Sequence, residues 1–296
     1  MRQAARSGAR VVGAAAAVSL LLGCAGHPGD AADRRPLAGV QAAGPKEVLD
    51  VAEQLLERDC MRRHGFRFWV VPPTASGTRR DFPYAVDDVG WARRHGYGAD
   101  QRATPRQSAT ADPNQRYLLS LPPDRRTALV ATLNGPRPSG LTADLPNGVQ
   151  VSHSDTGCTA EAERRLYGDL VAWFRATRVT SFLATERVAA VQRDPRYRAA
   201  RDRWARCMKA AGLPYADPQE SRAAADPERG VSRTREIRLA VAEATCAVST
   251  GLSRVATALD RSHDRRLRQR YPDAYGDLDR LTEGALPRAR ALVARG

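Results

Sequence analysis

The chain contains one short unit twice. Cys60-Met61 is followed by Arg-Arg-His64-Gly65-Phe66, and Cys207-Met208 by Lys-Ala-Ala-Gly212-Leu213. Both copies fall near the end of a helical pattern. In both, a Gly five residues after the Cys stands where a helix needs a left-handed cap, and an apolar residue follows. The echo predicts an internal duplication. Each copy also has one further Cys downstream, Cys158 for the first and Cys246 for the second.

The patterns around these units are helical. Residues 45–64 open with Pro45, carry Glu47 and Asp50 early, and repeat Leu49, Ala52, Leu56 and Cys60 on one face. The second copy starts at Asp194-Pro195 and places Tyr197, Ala200, Trp204, Cys207, Met208 and Ala211 on its apolar side. Cys158, Ala162, Leu166 and Leu170 predict another helix, with more over 181–192 and 232–270, a stop at Pro272, and a last helix over 277–295. Residues 117–121 and 123–133 read as a helical hairpin, and 149–151 as a short strand after Asn147-Gly148. Residues 74–113 read as a long irregular loop with a short helix at most. Aromatics are sparse at 6% and Ala is abundant, which favours helices. The expected fold is mainly α: a disulfide-stapled helical domain with an internal duplication and few short strands. Its first unit, with the irregular insertion, spans 45–176 and its second 177–296, packed as one globular body.

The N-terminus bears on compartment. Arg2, Arg6 and Arg10 precede an apolar run over 11–22 that is too short to span a bilayer and ends in Leu21-Leu22-Gly23-Cys24. This resembles a bacterial lipobox, with residues 1–23 a signal peptide and Cys24 the lipidated first residue of the mature chain. Leu22 is bulkier than the small residue usual there. A diacylglyceryl group supplies two chains at about 0.8 kcal/mol per buried methylene, enough for stable attachment. Residues 24–44, rich in Gly, Ala, Pro and Asp, read as a flexible tether.

Outside the cytoplasm, four remaining cysteines imply disulfides, and four allow three connectivities. The duplication selects Cys60 with Cys158 and Cys207 with Cys246. Cys60 and His64 are spaced as metal ligands on a helix, but nothing comparable follows Cys207, so no metal and no cofactor are expected.

The lipobox, the doubled Cys-Met-x-x-x-Gly, the Gly157-Cys158-x-x-Glu161-Ala162 run with Leu166-Tyr167-Gly168, and Trp204 three before Cys207 together resemble a group of secreted actinobacterial lipoproteins of uncharacterised function. The resemblance covers residues 48–246. It implies export, membrane anchoring and disulfides, and it carries over no catalytic residue. The first copy departs from the second in having Glu57 where the second has Trp204.

Enzyme motifs are missing: there is no G-x-S-x-G, no Walker-type phosphate loop and no H-E-x-x-H. His153-Ser154-Asp155 has triad residue types, but adjacent residues cannot form a triad. Asp81, Asp87 and Asp88 lie in the irregular loop, and Trp69, Tyr84, Trp91 and Tyr97 make it a candidate ligand-binding lip. The formal charge is +14, yet Lys46 and Lys209 are the only lysines among 47 basic residues. That usage looks like codon bias and discounts charge as a signal. The Arg-rich run over 261–270 suits an anionic envelope polymer better than nucleic acid, and a solvated helix face better still. The expectation is a non-enzymatic, membrane-anchored envelope protein on the extracytoplasmic face, bound to the membrane through Cys24. Its expected partner is an anionic polymer or another envelope protein. The alternative is an envelope-acting hydrolase with its site in 74–113.

Overall fold

A computed structural model describes residue 40 and residues 44–71, 80–101 and 112–296. Cys24, the apolar run before it and most of the 24–44 segment lie outside these residues, as do 72–79 and 102–111 of the irregular loop. Eleven α-helices and one two-stranded sheet make up the described part. No helix among the described residues is long and apolar enough to cross a membrane.

Helix α1 (Pro45–Arg63) buries Val48, Leu49, Val51, Ala52, Leu55 and Leu56, so two of its faces are covered. Its partners are α5 (Cys158–Tyr167) and the last helix, α11 (Pro272–Arg295). Ala285 and Ala289 of α11 are fully buried, and side chains this small let the two helices approach closely. Val40, expected in the tether, is buried in this same core.

Between α1 and α5 lie α2 (Val89–His95), a 3-10 turn (Ala99–Gln101), α3 (Pro113–Ser120), α4 (Pro123–Asn134) and a hairpin of β1 (Gly140–Asp144) and β2 (Gln150–Ser154). The strands are antiparallel with Thr142 opposite Ser152. Leu141 and Ala143 point inward on alternate positions, against Phe174 and Ala160. The short strand expected over 149–151 overlaps only the start of β2, and β1, whose five residues carry only two inward side chains, was not expected.

Helix α6 (Leu170–Arg193) is continuous, so the expected boundary at 176/177 falls inside it. Gly168, with φ of 86°, breaks the chain just before it, and Asp169 caps it by accepting from the Ala172 amide. The helix begins on the hairpin side, at Leu170 and Phe174, and ends at Val191 in a second core. That core gathers α7 (Pro195–Ala210), α9 (Arg233–Ser249) and α10 (Leu252–Arg270) around Trp204, Met208, Leu239 and Leu252. The short α8 (Pro218–Ala223) lies against α9. The helix expected over 232–270 is two helices, because Gly251 (φ 76°) turns the chain between them. The preceding helix ends at Arg270, as expected ahead of Pro272, and Pro272 itself opens the last helix, five residues before the expected start at 277. It occupies the first helical position, where a missing N–H costs nothing.

The doubled unit is one capping device used twice. In the first, the Gly65 N–H donates to Arg62 O at 3.0 Å and the Phe66 N–H to Met61 O at 3.0 Å. In the second, Gly212 donates to Lys209 O at 3.0 Å and Leu213 to Met208 O at 2.9 Å. This is the Schellman pattern, with Gly65 and Gly212 at φ of 76° and 74°. Met61 shares a core with Phe66, and Met208 with Leu213. The Met and the residue after the Gly are the apolar pair that accompanies such a cap. The disulfides are Cys60–Cys158 and Cys207–Cys246, with Cα atoms 5.5 and 5.7 Å apart. The repeat stops there. Cys158 opens α5, whereas Cys246 sits in the last turn of α9.

Candidate functional site

Two carboxylates on α9, Glu236 and Glu243, are seven residues apart and therefore on one face. They are 2% and 0% exposed. Both reach into the segment 80–101. Glu243 accepts from the Val86 N–H at 2.8 Å and the Tyr97 hydroxyl at 2.7 Å, and lies 3.4 Å from the Arg222 guanidinium. Burial raises the Glu243 carboxyl above the ordinary range, and Arg222 opposes the shift. Glu236 accepts from the Tyr97 N–H at 2.9 Å and from Arg233 at 2.7 Å. A side chain on Gly96 would bring its Cβ within 2.7 Å of the Glu236 carboxylate, at a φ of 56°. Glycine there lets the backbone come this close. Trp91, 3% exposed, fills the space between the segment and Ala240 and Ala244 of α9. Much of the expected irregular loop is thus a strap fixed to α9 by buried acids.

The strap forms one wall of a half-open cleft of about 410 Å³. Residues 80–85 and Asp87 line that wall. Ala184, Arg187 and Val188 of α6 face them, and Ser253, Ala256, Thr257, Asp260 and Arg261 of α10 complete it. Three elements distant in sequence meet at Asp260. The Tyr84 hydroxyl donates to Asp260 Oδ1. Arg187 Nε lies 3.0 Å from that oxygen, off the hydrogen-bonding axis, and is buried without a hydrogen-bond partner. The same guanidinium pairs with Asp264. Burial first, then Asp260, push the Tyr84 phenol well above its ordinary range. Tyr84 therefore stays protonated and donates to Asp260. The pair suits orienting a ligand better than attacking one.

The four aromatic residues proposed as a lip do not come together. Tyr84 alone lines the cleft. Trp91 and Tyr97 are packed against α9. Trp69 is elsewhere: its N–H donates to Asn114 Oδ1, its carbonyl accepts from Asn114 Nδ2, and its ring meets Tyr117 edge-on at 5.6 Å. In place of a lip made by all four rings, the segment is a strap in which Tyr84 faces the cleft while Trp91 and Tyr97 pack against α9, whose buried acids accept from its amides. Of the three loop aspartates, Asp88 caps α2 by accepting from the Trp91 N–H and pairs with Arg80, while Asp81 and Asp87 line the cleft. Arg187 and Asp260 went unnoticed in the sequence. Neither belongs to a motif, and only the crossing of α6 and α10 unites them.

Cys60, Cys158 and exposed His64 lie close enough to hold an ion, but the two sulfurs are bonded to each other and offer no thiolate. A second acidic group sits between α1 and α5. Glu53 accepts from the Tyr167 hydroxyl at 3.3 Å, Glu57 from Thr159 at 2.8 Å, and Glu163 from Trp173 Nε1 at 3.3 Å. Burial, with the charges of Glu163 and Glu57, pushes Glu53 up to about 8. Each acid already has a donor, and the group supports the core.

No protein-family model, no curated protein and no solved structure matches this chain.

Proposed function

We propose that the chain is a lipid-anchored extracytoplasmic protein, tethered through Cys24, that binds a ligand of the cell envelope in the cleft between the strap, α6 and α10, without catalysis. The cleft carries this reading. Its volume lies in the range of ligand sites, and its polar groups are fixed before any ligand arrives. The anchoring half rests on the lipobox-like Leu-Leu-Gly-Cys24. Two disulfides in a helical domain are in keeping with an oxidising compartment.

Two measurements test it. Incorporation of a labelled lipid precursor is expected in the native chain and lost in Cys24→Ala, and retained label would remove the anchor from the reading. Co-sedimentation with purified cell-envelope fragments is expected, and Thr257→Trp should abolish it. Thr257 is exposed on α10 and lines the cleft, so a large ring there fills the space without disturbing the core. Sedimentation indifferent to Thr257→Trp would place the ligand elsewhere.

A further inference from the structure

The charged groups of the cleft point to a ligand class. Arg80, Arg187 and Arg261 are matched by Asp81, Asp87 and Asp260, so the lining has no net charge. Arg187 is held by Asp260 and Asp264, and Arg80 by Asp88. Arg261 alone of the three has no ion pair among the described residues, and one exposed guanidinium gives little grip on an anion. A cation fares no better: Asp260 already serves Tyr84 and Arg187, and Asp81 and Asp87, without an ion pair among the described residues, stand on the solvent-accessible strap, where a single charge pair contributes little.

A wholly apolar ligand would cover these groups and leave them unsatisfied. The lining instead offers donor-only guanidiniums, acceptor-only carboxylates and the hydroxyls of Ser253 and Thr257. A ligand that both donates and accepts at every substituent satisfies such a set. The lining also includes Pro83, Val188 and the Tyr84 ring, a surface for C–H faces.

We propose that the cleft binds a short segment of neutral polysaccharide, with its rings on the apolar patch and its hydroxyls bridging the arginine and aspartate side chains. The proposal rests on the cleft being the ligand site.

The test is calorimetric titration of the full-length protein in a sugar-free detergent. The probes are neutral glucan, mannan, arabinan and chitin-type tetrasaccharides, with tetragalacturonate as the anionic control. At least one neutral tetrasaccharide is expected to bind with Kd below about 1 mM, more tightly than tetragalacturonate. Thr257→Trp should weaken that binding at least about tenfold at an unchanged melting temperature. Binding by none of the neutral probes, tighter binding of tetragalacturonate, or indifference to Thr257→Trp would overturn it. If Thr257→Trp abolishes envelope sedimentation while no neutral tetrasaccharide competes, the cleft stands as the ligand site and the saccharide is wrong. If sedimentation ignores that variant, both readings fail.

Discussion

The Trp204 indole N–H donates to the backbone carbonyl of Glu243 at 3.2 Å. Trp204 stands three residues before Cys207 and Glu243 three before Cys246, so the bond lies one turn from the disulfide joining the same two helices. The Glu243 carboxylate meanwhile holds the strap at Val86 and Tyr97. One turn of α9 thus fixes the second core and the wall of the cleft.

Glu243→Leu should therefore loosen the strap more than it disturbs the helices. It leaves the Val86 N–H and the Tyr97 hydroxyl without their acceptor and the Arg222 guanidinium without its partner. The expected cost is about 2–4 kcal/mol in urea unfolding. Glu243→Gln keeps one acceptor and should cost less than half as much. Native-state hydrogen exchange supplies the local readout. The Val86 amide should lose protection in Glu243→Leu while the amides of α1 keep theirs, and equal loss in both places would contradict the clamp.

The capping device makes a paired prediction. Nothing lies within 4 Å of a Cβ built on Gly65 or on Gly212, and both have positive φ. Gly65→Ala and Gly212→Ala should then cost only the left-handed penalty, about 1–2 kcal/mol each, and the two values should agree. A cost several times larger at one site would mean that the copies are not equivalent caps.

These two glycines also mark how far the sequence was readable. A cap is local: Cys-Met-x-x-x-Gly followed by an apolar residue encodes its own hydrogen bonds, and the disulfide pairing followed from its repetition. Helix starts at Pro45, Asp194-Pro195 and Cys158 were legible for the same reason. The breaks at Gly168 and Gly251 were not, because apolar periodicity runs on across both. The cleft was least legible. Tyr84, Arg187 and Asp260 are separated by 103 and 73 residues, and only packing brings them together. That Trp91 and Tyr97 pack inward was not legible either, because the acids that hold the strap lie on α9, far along the chain.

Removing the disulfides separately should show the effect of loop length. Cys60–Cys158 spans 98 residues and Cys207–Cys246 spans 39. Chain entropy assigns each roughly 4–5 kcal/mol, with the longer loop ahead by about 0.8 kcal/mol. The Cys60→Ala/Cys158→Ala pair should accordingly melt below the Cys207→Ala/Cys246→Ala pair, and the reverse order would mean that the denatured-state loop does not set the difference.

The acids between α1 and α5 give the stability a pH dependence. Glu53 sits at about 8 in the folded chain against 4.5 ordinarily, chiefly because burial disfavours its charge, with Glu163 and Glu57 adding to the effect. The folded chain therefore keeps a proton that the unfolded chain releases. The contribution from Glu53 is fully present below pH 4.5, falls as pH rises through about 8, and is constant above. The slope is at most about 1.4 kcal/mol per pH unit for this group. Burial also raises Glu57 and Glu163, which extends the same trend. Urea unfolding at pH 5, 6.5 and 8 should show decreasing stability across that window. Glu53→Gln retains an oxygen to accept from Tyr167 and carries no charge, so it should flatten the profile and exceed the native chain in stability at pH 8. A variant with the native slope, or one less stable at pH 8, would show that the Glu53 charge is accommodated in the folded core.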